Sequence, residues 1–318
     1  MLRSLTSGVS AMQQFQNEMD VIGNNIANVN TTGFKSARVD FSDAFSQTLG
    51  NTAGGLPTQI GTGVGTQSIT NQFIQGAISN TGTNTDVAIS GNGFFVVKDN
   101  LSGADYATRD GAFHLDGNGY LTTSGGLRVQ GFTDSTLTTR GDVQVSDADI
   151  QQARVTTATA AVTAAQTALA AVDPTDTAAV AAAQATLTAA QTQLSDAQSL
   201  SVSSFAISSE GKLQVRLSDG TEYTGGQILL QNFKDPQALT KEGNNLYSGL
   251  SSAGPLSETE APGTNGNGTL VAGALEMSNV DLASQFASLI TTQRSFQASA
   301  RIITTSDEIL QELVNLKH

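Results

Sequence analysis

The chain contains no cysteine, which excludes disulfides, a thiolate nucleophile and any cysteine-type metal site, and makes its fold independent of the redox state of its compartment. Basic residues are scarce: 15 Lys and Arg stand against 28 Asp and Glu, for a net charge of -13, and no basic stripe is present to neutralise phosphates. Nucleic acid is therefore not an expected partner. No stretch approaches the roughly 18 apolar residues of a membrane span, so no membrane insertion is expected. The first residues, Met1-Leu2-Arg3-Ser4-Leu5-Thr6-Ser7, lack an apolar signal core, so export would proceed without a cleaved signal peptide. Tryptophan is absent and aromatics make up 5% of the chain, whereas glycine reaches 32 residues, a mix that suits short strands, many turns and polar contact surfaces.

Candidate chemistry is equally sparse. The two histidines, His114 and His318, form neither a two-histidine helix motif nor a triad base with a positioned partner, and His114 reads as a half-exposed strand residue. The acidic residues are scattered, as solvation of a surface requires. Gly91-Asn92-Gly93-Phe94 and Gly61-Thr62-Gly63-Val64-Gly65 look like phosphate loops, but strands and not helices follow them, so they read as turns. Asp116-Gly117-Asn118-Gly119 resembles the start of a calcium loop, but Gly117 intrudes and no closing Glu follows; a type I′ hairpin turn is expected. These readings predict no enzyme, no catalytic residue, no metal and no cofactor.

What is present is periodicity. Leu2, Leu5, Val9, Met12, Phe15, Met19, Ile22, Ile26 and Val29 recur at steps of three and four, one face of a helix, with Leu5, Met12, Met19 and Ile26 spaced by seven. Near the other end Leu282, Leu289, Phe296, Ile303 and Leu310 are also spaced by seven, with Phe286, Ala300 and Val314 in a second seam position, and Ser278-Asn279-Val280-Asp281 offers N-caps. Stripes this narrow suit pairing with each other or with neighbouring copies, ordinary core packing being the alternative. A lone helix of about 30 residues with so sparse a seam is marginal in water, which predicts ends that are disordered in the single chain and fold on assembly.

Between these ends the pattern becomes short β-type runs bounded by Gly and Asn, such as Asp86 to Ile89 and Gly93 to Val97, and it resumes from Val202 to Phe233. An insertion rich in Ala, Gln and Thr interrupts it, with Val155, Val162 and Leu169 before Asp173-Pro174 and Val180, Leu187 and Leu194 after. It reads as a projecting, marginally stable helical hairpin turning at Pro174. The expected fold is α+β. A terminal helical domain (1–31 and 279–318) pairs as a coiled-coil-like layer. A discontinuous, mainly antiparallel β domain (32–146 and 200–278) carries an extended linker near 50–65, and the Ala-rich hairpin occupies 147–199. A chain of 318 residues accommodates two or three such units.

The stretch from Asp20 through Val21-Ile22-Gly23-Asn24-Asn25-Ile26-Ala27-Asn28-Val29-Asn30-Thr31-Thr32-Gly33-Phe34-Lys35 closely resembles the N-terminal signature of flagellar rod and hook proteins. The resemblance continues through Phe73-Ile74-Gln75-Gly76, Asp86 to Val97 and Tyr106 to Phe113, and closes with Gly273 to Ala283, Gln293 to Gln297 and Thr304 to Gln311. It covers all but the Ala-rich insertion, which stands where family members carry an outer domain.

The resemblance implies a structural subunit of the bacterial flagellum that polymerises into the hook, a curved joint transmitting torque. A distal rod subunit is the near alternative, because the modest length and the segment from Gly50 to Val64 are similar to distal rods. It further implies self-assembly as a helical homopolymer, with rod, hook-cap and hook–filament junction proteins and the export apparatus as partners, and an extracytoplasmic place in the basal body or hook. The expected assembly residues are Leu5, Met12, Met19, Ile26, Leu282, Leu289, Phe296, Ile303 and Leu310. A non-polymerising adaptor that grips a partner's helices is the remaining reading.

Overall fold

A computed structural model describes residues 2–51, 57–134, 137–145, 147–173, 176–256 and 258–316. The chain opens with α1 (Leu2–Ala27), followed by β1 (Ala37–Asp43), β2 (Ser46–Asn51), β3 (Pro57–Gly61), β4 (Val64–Asn71) and β5 (Ile78–Asn80). Next come β6 (Val87–Ser90), β7 (Phe94–Lys98), β8 (Asp105–Thr108), β9 (Phe113–Leu115), β10 (Leu121–Thr123), β11 (Arg128–Phe132) and β12 (Arg140–Asp142). Two helices, α2 (Asp147–Ala171) and α3 (Thr177–Ser199), precede β13 (Val202–Ile207), β14 (Lys212–Leu217), β15 (Glu222–Ile228) and β16 (Leu230–Gln231). The chain ends with β17 (Thr240–Gly243), β18 (Leu246–Ser248), β19 (Thr269–Ala272), β20 (Ala274–Glu276) and α4 (Leu282–Asn315). Terminal helices thus flank a β-rich, mostly antiparallel middle.

Two compact units result: a helical unit of Met1–Ser79, Asp235–Thr240 and Glu276–His318, and a sheet unit of Asn80–Lys234 and Lys241–Leu275. In the sheet unit the strands run β13-β14-β15-β11-β7-β8-β18. Alternation along β14, with Leu213, Val215 and Leu217 inward, drives one face into a core with Phe95, Val97, Phe113, Leu121, Val129, Ile207 and Ile228, all at most 4% exposed. Phe95 and Phe113 meet edge to face at 5.0 Å. The β9–β10 turn differs from the expected type I′. Asp116 Oδ1 accepts from the amides of Asn118 and Tyr120, both at 2.8 Å, and Gly119 alone takes positive φ, +80°. The aspartate captures the amides and holds the two residues after it out of the left-handed region that a type I′ turn needs.

Within the insertion α2 and α3 lie against each other. Their most buried positions are Ala158, Ala165, Ala190 and Ala197, spaced by seven on each helix, while Val155, Val162, Leu169, Val180, Leu187 and Leu194 are only half-buried. Alanine holds the centre because it lets two backbones approach closely, so the larger side chains flank the contact. Asp176 caps α3 by accepting from Ala178 and Ala179, and Pro174, the expected turning point, lies outside the described residues. Arg154 on α2 reaches Asp219 Oδ2 at 2.7 Å and Thr221 Oγ1 at 2.9 Å, tying the helix pair to the β14–β15 turn.

In the helical unit β1 pairs with β4 and β2 with β3, and Ala44 N to Gly63 O (2.8 Å) with Thr62 N to Phe45 O (3.1 Å) joins the two ladders into one antiparallel ribbon. Residues 46–51 and 57–61, at the expected extended linker, are therefore paired strands. Gln47 stands opposite Ile60 and Thr48 opposite Gln59, and backbone groups of the two strands satisfy one another across the ribbon. The ribbon lies along α1, where Phe15 meets Phe41 edge to face at 6.4 Å.

Candidate assembly surface on the terminal helices

Helix α1 ends where asparagines compete for its backbone: Asn28 Nδ2 donates to Asn24 O at 2.9 Å, and the chain then turns at Gly33, φ +67°. Helix α4 begins at Asp281, whose carboxylate accepts from Ala283 N at 2.9 Å and Ser284 N at 3.4 Å. Both helices lie against each other within the same unit.

The pairing is antiparallel. Near the start of α1, a Cβ on Gly8 would lie 3.1 Å from Ile303 Cγ1, and near its end Asn25 Nδ2 lies 3.1 Å from Gln285 Oε1. Asn25 is 2% exposed and also holds β1, donating to Ala37 O at 2.8 Å and accepting from Ala37 N at 3.0 Å. A buried asparagine satisfied by one register alone opposes every slipped alternative.

The nine residues expected to form the assembly surface divide. Leu5, Met12, Met19 and Ile26 on α1, and Leu289, Phe296, Ile303 and Leu310 on α4, are half-buried, whereas Leu282 is 40% exposed. The second seam line on α4 is not Phe286, Ala300 and Val314. It is Gln285, Thr292, Ser299 and Ser306, spaced by seven, the last three at most 7% exposed. Small polar residues fit there because α1 presents Gly8 close by, and Thr292 satisfies its hydroxyl on Ser288 O at 2.9 Å.

Large apolar side chains remain outside. Leu282, Phe286 and Ile290 (40–52% exposed) follow one flank of the seam, and at about 100° per residue Ile302 and Ile309 (49–51% exposed) fall on the other. Sequence periodicity missed Ile290, Ile302 and Ile309 because they lie off the seven-residue line, although their type and density were legible. One helix thus offers apolar surface on two sides.

Among the described residues, metal-binding side chains do not gather comparably. His114 on β9 is exposed, more so than expected, with Nε2 3.2 Å from Ser124 Oγ, and His318 lies outside the described residues. Among the described residues no three His, Cys, Asp or Glu side chains could hold a metal ion, and no helix is long and apolar enough to cross a membrane. A cavity of about 710 Å³ opens at the base of α2 and α3 beside Arg154, Asp196 and Asp219.

Comparison with known proteins matches both ends and the middle. Residues 5–35 match the flagella basal body rod protein family, 88–165 the flagellar hook protein FlgE/F/G D1 domain, and 271–316 the flagellar basal body rod FlgEFG protein C-terminal family. The chain is 38% identical to the flagellar basal-body rod protein FlgG of Bacillus subtilis over 324 aligned residues, covering all of both chains. It is 30% identical to the flagellar hook protein FlgE of Treponema pallidum over 465 aligned residues, again covering both. With the flagellar hook protein FlgE of Helicobacter mustelae it shares 45% identity over 157 residues, 47% of this chain and 34% of that one. A chain matched along its whole length by both kinds of relative, with helices at the two ends the family models cover, belongs to the flagellar hook and basal-body rod protein family.

Proposed function

We propose that the chain is an axial flagellar subunit that polymerises through α1 and α4 into a hook-type tube. The observation that carries this reading is the pair of apolar flanks on α4. The sheet unit has a closed core, whereas Phe286, Ile290, Ile302 and Ile309 stay half-exposed in the single chain, a cost that a neighbouring copy on each side would remove. Contacts on two different flanks are heterologous, and a heterologous contact whose rotation does not close builds an open helical assembly. Leu5, Met12, Met19 and Ile26 with Leu289, Phe296, Ile303 and Leu310 would hold a coiled-coil-like inner layer, and Leu282 would join the outer flank. The 147–199 helical hairpin would project outward as a separate element. Rod, hook-cap and junction proteins and the export apparatus are the partners this role implies, at the extracytoplasmic basal body or hook.

The Helicobacter mustelae match favours the hook. The rod has its own support: alignment to the rod relative needs 324 positions, whereas the Treponema pallidum hook relative needs 465, so that protein carries long segments this chain lacks. Electron microscopy of the purified chain under polymerising conditions separates the readings. Curved tubes support the hook, straight short rods move the assignment to the distal rod, and particles that stay single at all concentrations refute polymerisation in favour of an adaptor.

A further inference from the structure

Lysine and glutamate tolerate dry burial only when paired, and Lys35 and Glu276 are both fully buried in the helical unit, Nζ 2.6 Å from Oε1. Neither lies in the helix seam. Lys35 follows the turn that ends α1, Glu276 precedes α4, and 241 positions of chain separate them. A third segment also bonds to the pair: Lys35 Nζ donates to Ile74 O and the Gly76 amide donates to Glu276 Oε1, both at 2.8 Å. Backbone and amide bonds close the same junction. Gly33 N donates to Glu276 O at 2.7 Å, Met277 N to Ala77 O at 2.8 Å, and Asn279 accepts from Ser36 N and donates to Gln72 O, both at 2.8 Å. There is no slack, for a Cβ on Gly76 would stand 2.0 Å from Met277 O.

A buried ion pair adds little over an apolar pair of the same volume, but removing one partner strands the other charge in a dry site. That asymmetry penalises half-closed states far more than the fully open or fully closed one. We propose that Lys35 and Glu276 form a clasp that makes the order of α1 conditional on that of α4. Both chain ends dock together or are released together, while the sheet unit stays folded. The consequence for assembly, that a subunit joins the tube only with both helices in place, rests on the polymerisation reading; the clasp itself does not.

Hydrogen exchange of the full chain, read by mass spectrometry on wild type, K35M, E276Q, G76A and K35M/E276L, tests it. K35M and E276Q are expected to speed exchange in α1 and α4 by one common factor of about a hundredfold, leaving Phe94–Lys98 and Lys212–Leu217 unchanged. K35M/E276L recovers at least about tenfold of that, because no charge is stranded. G76A, which disturbs the junction without stranding a charge, loosens both helices together by a smaller factor. Unequal factors for the two helices, acceleration confined to residues beside the pair, or a double variant as fast as the single ones would overturn the clasp. Sedimentation of the same samples keeps the two ideas apart: coupled exchange in a wild-type chain that never polymerises sinks the assembly reading alone, and uncoupled exchange in one that does sinks the clasp alone.

Discussion

Replacing Phe286 with alanine sets the apolar flank of α4 against a number. Phe286 is 49% exposed in the single chain. A phenylalanine can bury about 200 Å², so about 100 Å² is left for a neighbour to cover, worth about 2.5 kcal/mol at about 25 cal/mol per Å². Alanine keeps the Cβ, so the expected loss is about 2 kcal/mol per contact, a roughly thirtyfold rise in the concentration at which polymer first forms. Pelleting across a concentration series reads that threshold, and a thermal melt of unpolymerised protein reads the fold. Stability in that melt should fall as well, by about 2 kcal/mol or less, because the other half of the side chain is covered within the single chain. Ile309→Ala, about 35 Å further along the helix and on the opposite flank, should raise the threshold independently, so that the two effects multiply. An unchanged threshold in a folded F286A chain would refute the reasoning.

Gly111→Ala should destabilise the sheet unit by about 3 kcal/mol or more in urea unfolding, because the new Cβ would stand 1.6 Å from Val87 O. Asp219 is held down to about 2, first by the Thr221 hydroxyl, then by the Thr221 amide, with Arg154 adding to both. A depressed carboxyl stabilises above its unfolded value near 3.9 and loses that contribution as pH falls through about 2. Exchange in the first turns of α2 should therefore quicken between about pH 4 and pH 2, and D219N should show the fast behaviour at every pH. Ala165→Leu should force α2 and α3 apart at a cost of about 1–3 kcal/mol, seen as lost helical signal in circular dichroism with the β signal retained. Helix retained at full strength would show that the alanine contact is not tight.

Local chemistry made much of the fold legible. Apolar spacing located α1 and α4, the Asp281 cap lay within the stretch that offered caps, and strand alternation from Val202 onward anticipated β13 to β15, because each signal depends on residues a few positions apart. The paired strands at 46–51 and 57–61 escaped because polar, Gly-rich strands carry little hydrophobic contrast, and their pairing is set by a partner strand. The alanine contact in the insertion escaped for a related reason: periodicity weights large side chains, while close backbone approach selects small ones.

By itself, the sequence determined that the chain ends in two amphipathic helices around a β-rich middle, that its chemistry lacks thiols, and that its signatures are those of flagellar axial proteins. Only the tertiary structure decided which face of α4 turns inward. Two stripes compete on that helix, and the choice rests on Gly8 admitting Ile303 and on Asn25 bonding Gln285 and Ala37 together, contacts between residues far apart in the chain. Burial of Lys35 against Glu276 was likewise invisible beforehand. Nothing local distinguishes a lysine bound for solvent from one whose counter-charge arrives from 241 positions away.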